Sequence, residues 1–347
     1  MLRRSLLLAP ALAMQPGKTT AALIAAPDGP HLSIYIQALS EAPNIGRLAV
    51  ADPSGAIFAR APKMRPFRDT LEMMRAMKPQ LVVVALEADQ APASIRIALE
   101  NGAHVLAEKP ACIRASDFAS MAALAAAHKR YLMLAFATRL YPVALRARQL
   151  FEEGRIGKLY GAAMHYIADR TRLTRPEYQR SWFSFKDKAG GGHLIWLGIH
   201  YIDLLQFLTA QRITLVTAQT ANAGGQPIEV EDSAALTFQL EGGALGTMQS
   251  GYYLDKGYHN GITLWGSKGW LRIDPAAGNL EWYTDGGSAR KETLPKIDGY
   301  PALVRAAADI AAGRARPFVT ADECLQTLRV VFAAYKSART GRIVAAL

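Results

Sequence analysis

Residues Leu81 to Leu86 read LVVVAL, an apolar run with no polar alternation. A strand with one wet face alternates. A run apolar at every position suits a parallel strand covered by helices on both sides. The flanking chain repeats that unit. Ala21 to Ala26 reads as a first strand, Leu32 to Leu39 as a helix, and Arg47 to Ala51 as a second strand ending at Asp52. Phe67 to Lys78 is amphipathic, with Leu71, Met74 and Met77 (or Lys78) at helical spacing. Pro92 to Glu100 is a helix stopped by Asn101-Gly102, and His104 to Ala107 is the next strand. Ser116 caps a helix to about His128, and Tyr131 to Ala137 is a further strand. This alternation predicts an α/β fold of the Rossmann type, a doubly wound parallel sheet.

Beyond Arg139 the pattern changes. Pro142 to Glu153 reads as a helix. Longer β-type segments come next, at Leu159–Ala168, Ile213–Thr220, Ala234–Leu240, Ala244–Tyr253, Gly261–Trp265 and Trp270–Ile273. Glu241-Gly242-Gly243 and Gly266-Ser267-Lys268-Gly269 are hairpin turns between them. Thr320-Ala321-Asp322-Glu323 is a capping box for a last helix over about 323–340. The reading is a second, α+β domain built on an open, mostly antiparallel sheet. The expected division is a leader and linker at 1–17, a dinucleotide-binding domain at 18–138, and a substrate and oligomerisation domain at 139–318. The helix at 319–347 is expected to pack back on the first domain.

A chain of 347 residues has room for two cores. Its formal charge of +11 is spread thinly, with no block of like charges, which argues for a solvated basic surface and against nucleic-acid binding. Such a surface draws in anionic substrates. Two cysteines, Cys112 and Cys324, exclude a disulfide framework and a cysteine zinc site. At the start, Arg3-Arg4, the apolar run Ser5 to Ala13 and the small-x-small site Ala11-Leu12-Ala13 form an export pattern of the twin-arginine type, directing the chain to the periplasm. The alternative is a cytoplasmic protein. The run is too short to span a bilayer, so no stable membrane insertion is expected.

A dinucleotide fold places a glycine-rich turn after its first strand, where backbone approaches pyrophosphate at a helix N-terminus. Here the turn is Pro27-Asp28-Gly29-Pro30-His31-Leu32, with only Gly29 left of the G-x-G-x-x-G pattern. Asp52, about twenty residues on, stands where a carboxylate accepts the ribose hydroxyls of NAD and disfavours the 2′-phosphate of NADP. The competing reading of Asp52-Pro53-Ser54-Gly55 is a plain turn.

Glu108-Lys109-Pro110 closes the strand at Val105-Leu106, and crevices in α/β sheets open at strand C-termini. A lysine there reaches both a nicotinamide and a reacting hydroxyl, whose developing negative charge it stabilises. The bland reading is a surface Glu–Lys pair. A second segment runs Gly190-Gly191-Gly192-His193-Leu194-Ile195-Trp196, and on to His200 and Asp203. As a helix it brings residues 193, 196, 200 and 203 near one face, and its glycines free helix-start N–H groups for a ligand. His200, with an ordinary pKa near 6.5, suits proton transfer with a sugar hydroxyl. The competing reading for His193, His200 and Asp203 is a satisfied core. His193 and His200 lack a third ligand, so no metal is expected.

The order of these motifs carries a resemblance. After Glu108-Lys109-Pro110 come Gly154-Arg155-Ile156-Gly157-Lys158-Leu159, the glycine-run helix, Gly266-Ser267-Lys268-Gly269, and finally Ala333-Ala334-Tyr335-Lys336-Ser337-Ala338. Together they resemble the Gfo/Idh/MocA family of oxidoreductases over about residues 20–345. The resemblance implies NAD-dependent (less readily NADP-dependent) hydride transfer at a sugar, polyol or glycoside carbon. It also implies homo-oligomers through the C-terminal sheet. It puts the catalytic lysine on Lys109 and the helix histidine on His200, with Gly29, Asp52, Glu108 and Lys109 at the cofactor. Trp196 stands where many members carry an aspartate, and offers a stacking surface for a sugar. Trp196, His193, Asp203, Arg139 and Tyr141 are candidate substrate contacts, with Arg180, Trp182 and His259 behind them. Two alternatives stay open: a glycoside hydrolase or lyase using NAD transiently, and a non-catalytic sugar or nucleotide binder.

Overall fold

A computed structural model describes residues 17–346; the export pattern lies outside the described residues. The first half runs β1 (Thr19–Ala25), α1 (Leu32–Glu41), β2 (Ile45–Ala51), β3 (Arg65–Phe67), α2 (Thr70–Met77), β4 (Leu81–Ala85), α3 (Ala91–Glu100), β5 (His104–Ala107), α4 (Ala115–Ala127) and β6 (Leu132–Leu134). Its six strands form one parallel sheet in the order β3-β2-β1-β4-β5-β6. All five residues of β4 are buried, as a strand sandwiched between helical layers requires. The order reverses between β1 and β4, which places the crevice at their C-terminal ends.

Three boundaries differ from the sequence reading. Ser116, expected to cap α4, lies inside its first turn, and the N-cap position falls on Arg114 with no side-chain cap bond. Phe67, expected in a helix, belongs to β3, and the helix waits for Asp69, whose carboxylate accepts the Glu72 N–H at 2.6 Å as N-cap. The strand expected over Tyr131–Ala137 is only Leu132–Leu134, because Ala137–Leu140 turns into a 3-10 helix.

The second half runs α5 (Pro142–Glu152), β7 (Leu159–Asp169), α6 (Pro176–Arg180), α7 (Lys186–Ala189) and α8 (Ile199–Thr209). Then come β8 (Ile213–Ala221), β9 (Ser233–Leu240), β10 (Leu245–Leu254), β11 (Tyr258–Gly266), β12 (Gly269–Asp274), β13 (Asn279–Thr284) and β14 (Arg290–Thr293), with α9 (Gly299–Ala311), α10 (Ala321–Thr340) and β15 (Val344–Ala345) at the end. The nine strands order as β14-β13-β12-β11-β7-β10-β9-β8-β15, antiparallel except where β10 lies parallel to β7. Both hairpin turns lie where their glycines place them, and the Thr320–Glu323 capping box opens α10. The late helices tie the halves together. α9 returns to pack on α1 and β1, and α10 lies against β8, α8, α4 and β6.

Among the described residues, one face of the large sheet leaves apolar side chains exposed. A single row across it holds Leu215, Gln239, Leu245, Gly161 and Trp265. Leu245 is 63% exposed and Trp265 45%.

Candidate functional site

β5 delivers Glu108 and Lys109 to the crevice, both only 2% exposed. The Lys109 ammonium donates to the Trp196 carbonyl and lies 4.9 Å from the centre of the Trp196 ring. Glu108 Oε1 stands 3.9 Å from it. Burial lowers the Lys109 pKa to about 8, Glu108 resisting and Arg172 assisting. Glu108 Oε2 accepts hydrogen bonds from Tyr35 (2.7 Å) and Tyr300 (3.2 Å) and lies 3.4 Å from His31. Burial alone would push the Glu108 pKa up; His31, Lys109 and Tyr35 overcome it and hold it at about 2. The sequence has no periodic signal for Tyr35 and Tyr300, which meet only because α9 folds back on α1.

The glycine run is a packing device. A Cβ on Gly192 would sit 1.8 Å from the Glu231 carbonyl oxygen, and one on Gly191 2.2 Å from the Tyr335 hydroxyl. The helix-start N–H groups expected to meet a ligand are already taken. Glu231 accepts from Gly192 (2.7 Å) and Leu194 (3.0 Å), and Tyr335 donates to Glu231 at 2.7 Å. Glu231, which belongs to no motif, is thus the anchor of the segment.

Residues Leu194–Gly198 form a π-helical turn before α8 begins. Such a turn inserts extra backbone and rotates the helix beyond it, so the single face expected from three- and four-residue spacing is split. Trp196 keeps company with Lys109, Trp182 and Phe183. His193 is fully buried, its Nδ1 2.7 Å from Ser250 Oγ and its ring against Tyr252. Asp203 forms a two-point ion pair with Arg139, both bonds 2.8 Å, and Arg139 also reaches Glu323 at 2.7 Å. Arg139 and Asp203 therefore do not face the crevice as substrate contacts; they lock α8 to α10. Tyr141 packs against the start of α9 near Gly299. His259 lies beside His165 on the open sheet face, ring centroids 4.4 Å apart.

His200 packs edge-on to Phe136. Burial depresses its pKa to about 3, and Lys109 pushes the same way. It is a neutral imidazole near pH 7, not the group titrating near 6.5 that its type suggests.

At the glycine turn, Gly29 is required because a Cβ would lie 2.3 Å from the Ala85 carbonyl oxygen. Asp52 is buried and consumed by its own turn, accepting from Ser54 N (3.0 Å), Ser54 Oγ (2.8 Å) and Ile57 N (3.1 Å). Three protein donors already bond it, so a ribose would have to share or displace them, which weakens the sequence-based ground for preferring NAD to NADP. Arg60 lies beside the turn, bonded to Pro27 O and Ser33 Oγ. The turn fits a dinucleotide in two respects. The N-terminus of α1 has no side-chain cap, leaving its N–H groups for an anion. Three buried polar atoms near Lys109 also lack partners: Glu108 Oε1, Trp196 Nε1 and His200 Nδ1.

A cavity of about 220 Å³ opens here, between the turn (Gly29, Pro30) and Lys109 on one side and Trp196, Phe183 and Tyr178 on the other. Trp182, from the same segment as Phe183, donates its indole N–H to the Asp28 carbonyl at 3.1 Å. A larger hollow, about 710 Å³ between Arg114, Glu231 and Arg339, is not lined by Lys109, whereas the smaller one is. Among the described residues there is no cluster able to hold a metal ion, both cysteines are free and buried, and no helix is long and apolar enough to cross a membrane.

A parallel sheet with a dinucleotide turn, a buried lysine at the end of β5 and a second domain roofing it define a nicotinamide-type oxidoreductase architecture. Family profiles agree: the oxidoreductase family with NAD-binding Rossmann fold matches residues 47–136, and the GFO/IDH/MocA C-terminal domain matches 144–272. The chain belongs to the Gfo/Idh/MocA family. It is 23% identical to the rhizopine catabolism protein MocA of Rhizobium meliloti, over 73% of this chain and 76% of that one. It is 26% identical to D-xylose 1-dehydrogenase (NADP(+)) 2 of Haloferax volcanii, over 72% and 75%. The crystal structure of an oxidoreductase domain protein from Kribbella flavida shares the fold with a TM-score of 0.84, at 24% identity over 95% of this chain and all of that one.

Proposed function

We propose that this protein is a NAD(P)-dependent oxidoreductase acting at a hydroxyl-bearing carbon of a sugar, polyol or glycoside. The observation that carries it is Lys109, whose buried ammonium lines the cavity beside the glycine turn. A bound dinucleotide would supply or take the hydride, its diphosphate at the α1 N-terminus and Arg60, its nicotinamide toward Glu108 and Lys109. Lys109, at about 8, holds or releases a proton near neutral pH and stabilises an alkoxide. His200 is neutral near pH 7 and does not line the cavity, whereas Lys109 does, so the proton transfer is assigned to Lys109. Trp196 gives the sugar a flat apolar surface. The choice between NAD and NADP is decided by the nucleotide released on denaturation, identified by mass.

The test is a screen of sugars and polyols with each dinucleotide, read by nicotinamide absorbance. Lys109→Met lowers kcat by roughly 10²–10⁴-fold. Unchanged turnover in that variant overturns the assignment. Substrate conversion on a retained nucleotide, with no net change in absorbance, would instead identify the hydrolase or lyase reading.

The bare row of the large sheet supports self-association. Leu245→Lys with Trp265→Glu is expected to lower the mass measured by light scattering. The Arg3-Arg4 pattern supports export, testable by fractionating cells that carry the Lys-Lys variant.

A further inference from the structure

The reading of this pocket as a sugar-oxidoreductase site leaves one charge at its mouth unaccounted for. Arg172, on the 3-10 turn after β7, lines the cavity with Lys109, Tyr178, Tyr252 and Tyr258. Lys109 has Glu108 beside it at 3.9 Å. Arg172 forms no ion pair among the described residues. The nearest acid in sequence, Asp169, spends its Oδ1 on the Thr171 N–H at 2.7 Å. The guanidinium instead lies 5.6 Å from the centre of the Tyr252 ring, which fixes it over the opening. Among the described residues no carboxylate lines the cavity. The walls thus present two cations, several phenols and an indole.

A neutral sugar needs no fixed guanidinium. A planar fork of donors matches a carboxylate or a phosphate, and does so best with no competing acid.

We propose that the substrate is an anionic monosaccharide, its carboxylate or phosphate held by Arg172 at the cavity mouth and its hydroxyl-bearing carbon directed to Lys109. This rests on the oxidoreductase reading for the reaction, but the recognition is tested separately from it.

The experiment is calorimetric titration of the full chain, with and without NADH and NADPH, using D-glucose, D-glucuronate and D-glucose 6-phosphate, then the galactose counterparts of the first two. At least one anion of each set is expected to bind about tenfold or more tightly than its neutral partner. Added salt should narrow that gap. In Arg172→Gln it should fall to within about twofold, and Arg172→Lys should keep part of it. The stronger of uronate and sugar phosphate identifies the anion. Equal affinity for neutral and anionic sugars, a gap that survives Arg172→Gln, or no binding of either anion overturns the proposal. Anion binding that persists in a protein taking up neither dinucleotide would leave this inference standing and sink the oxidoreductase reading.

Discussion

At the scale of single residues, Lys109 carries the most testable weight. With its pKa brought down to about 8, its proton comes off within the working range of most assays. Sugar oxidation needs the free amine, so kcat/KM should rise toward pH 8 and level off. Carbonyl reduction needs the ammonium and should fall above the same value. A profile without a limb near 8 in either direction would remove Lys109 from the proton transfer. Trp196→Asp places a carboxylate next to the ammonium; opposite charge favours the charged form, so the limb should move upward in pH. These residue roles are only partly legible in the sequence. Lys109 stands out because it ends a buried strand. His200 attracts the proton-transfer role because its residue type carries an ordinary pKa near 6.5; burial and Lys109 together carry it down to about 3, which no local pattern reveals. Arg172 lacks any motif and is meaningful only through the cavity it faces.

At the scale of elements, the glycine run and the π turn decide where side chains point. Gly192→Ala would drive a methyl into the Glu231 carbonyl, 1.8 Å away where contact needs about twice that, and the neighbour is backbone. Severe destabilisation, seen as a lowered denaturant midpoint, is expected; a midpoint within error of the parent would show that the cap yields easily. Asp203→Ala leaves the buried Arg139 with Glu323 as its remaining ion partner and removes its two-point pair. Breaking a buried pair costs about 3–5 kcal/mol, whereas replacing both partners with apolar residues should cost less. Equilibrium unfolding of the single and double variants distinguishes that cost from simple loss of volume. The element order is readable from apolar runs, turn glycines and the Thr320 box, because each depends on local chemistry. The π turn is not: an α-helical period assumed through Leu194–Gly198 puts His193, Trp196, His200 and Asp203 together, and the inserted backbone parts them. Asp52 likewise sits at the right strand end, but Ser54 and Ile57 claim its oxygens.

For the whole molecule, acid should be damaging before most carboxylates titrate. His104, His193 and His200 are held neutral by burial, at about 4, 3 and 3. An unfolded chain protonates them at 6.5, so it binds more protons than the fold below that value. Their contribution is intact above pH 6.5 and is lost progressively as pH falls toward 3. A denaturant midpoint flat over that window would contradict this. Finally, the segment bearing Tyr178, Trp182 and Phe183 touches both the glycine turn and the cavity. Its indole grips the carbonyl of the glycine turn while its neighbours roof the sugar cavity. If the dinucleotide enters beneath that contact, the second reactant should follow it into the remaining space. Steady-state kinetics should be compulsory-order, with the reduced dinucleotide competitive against the oxidised form alone.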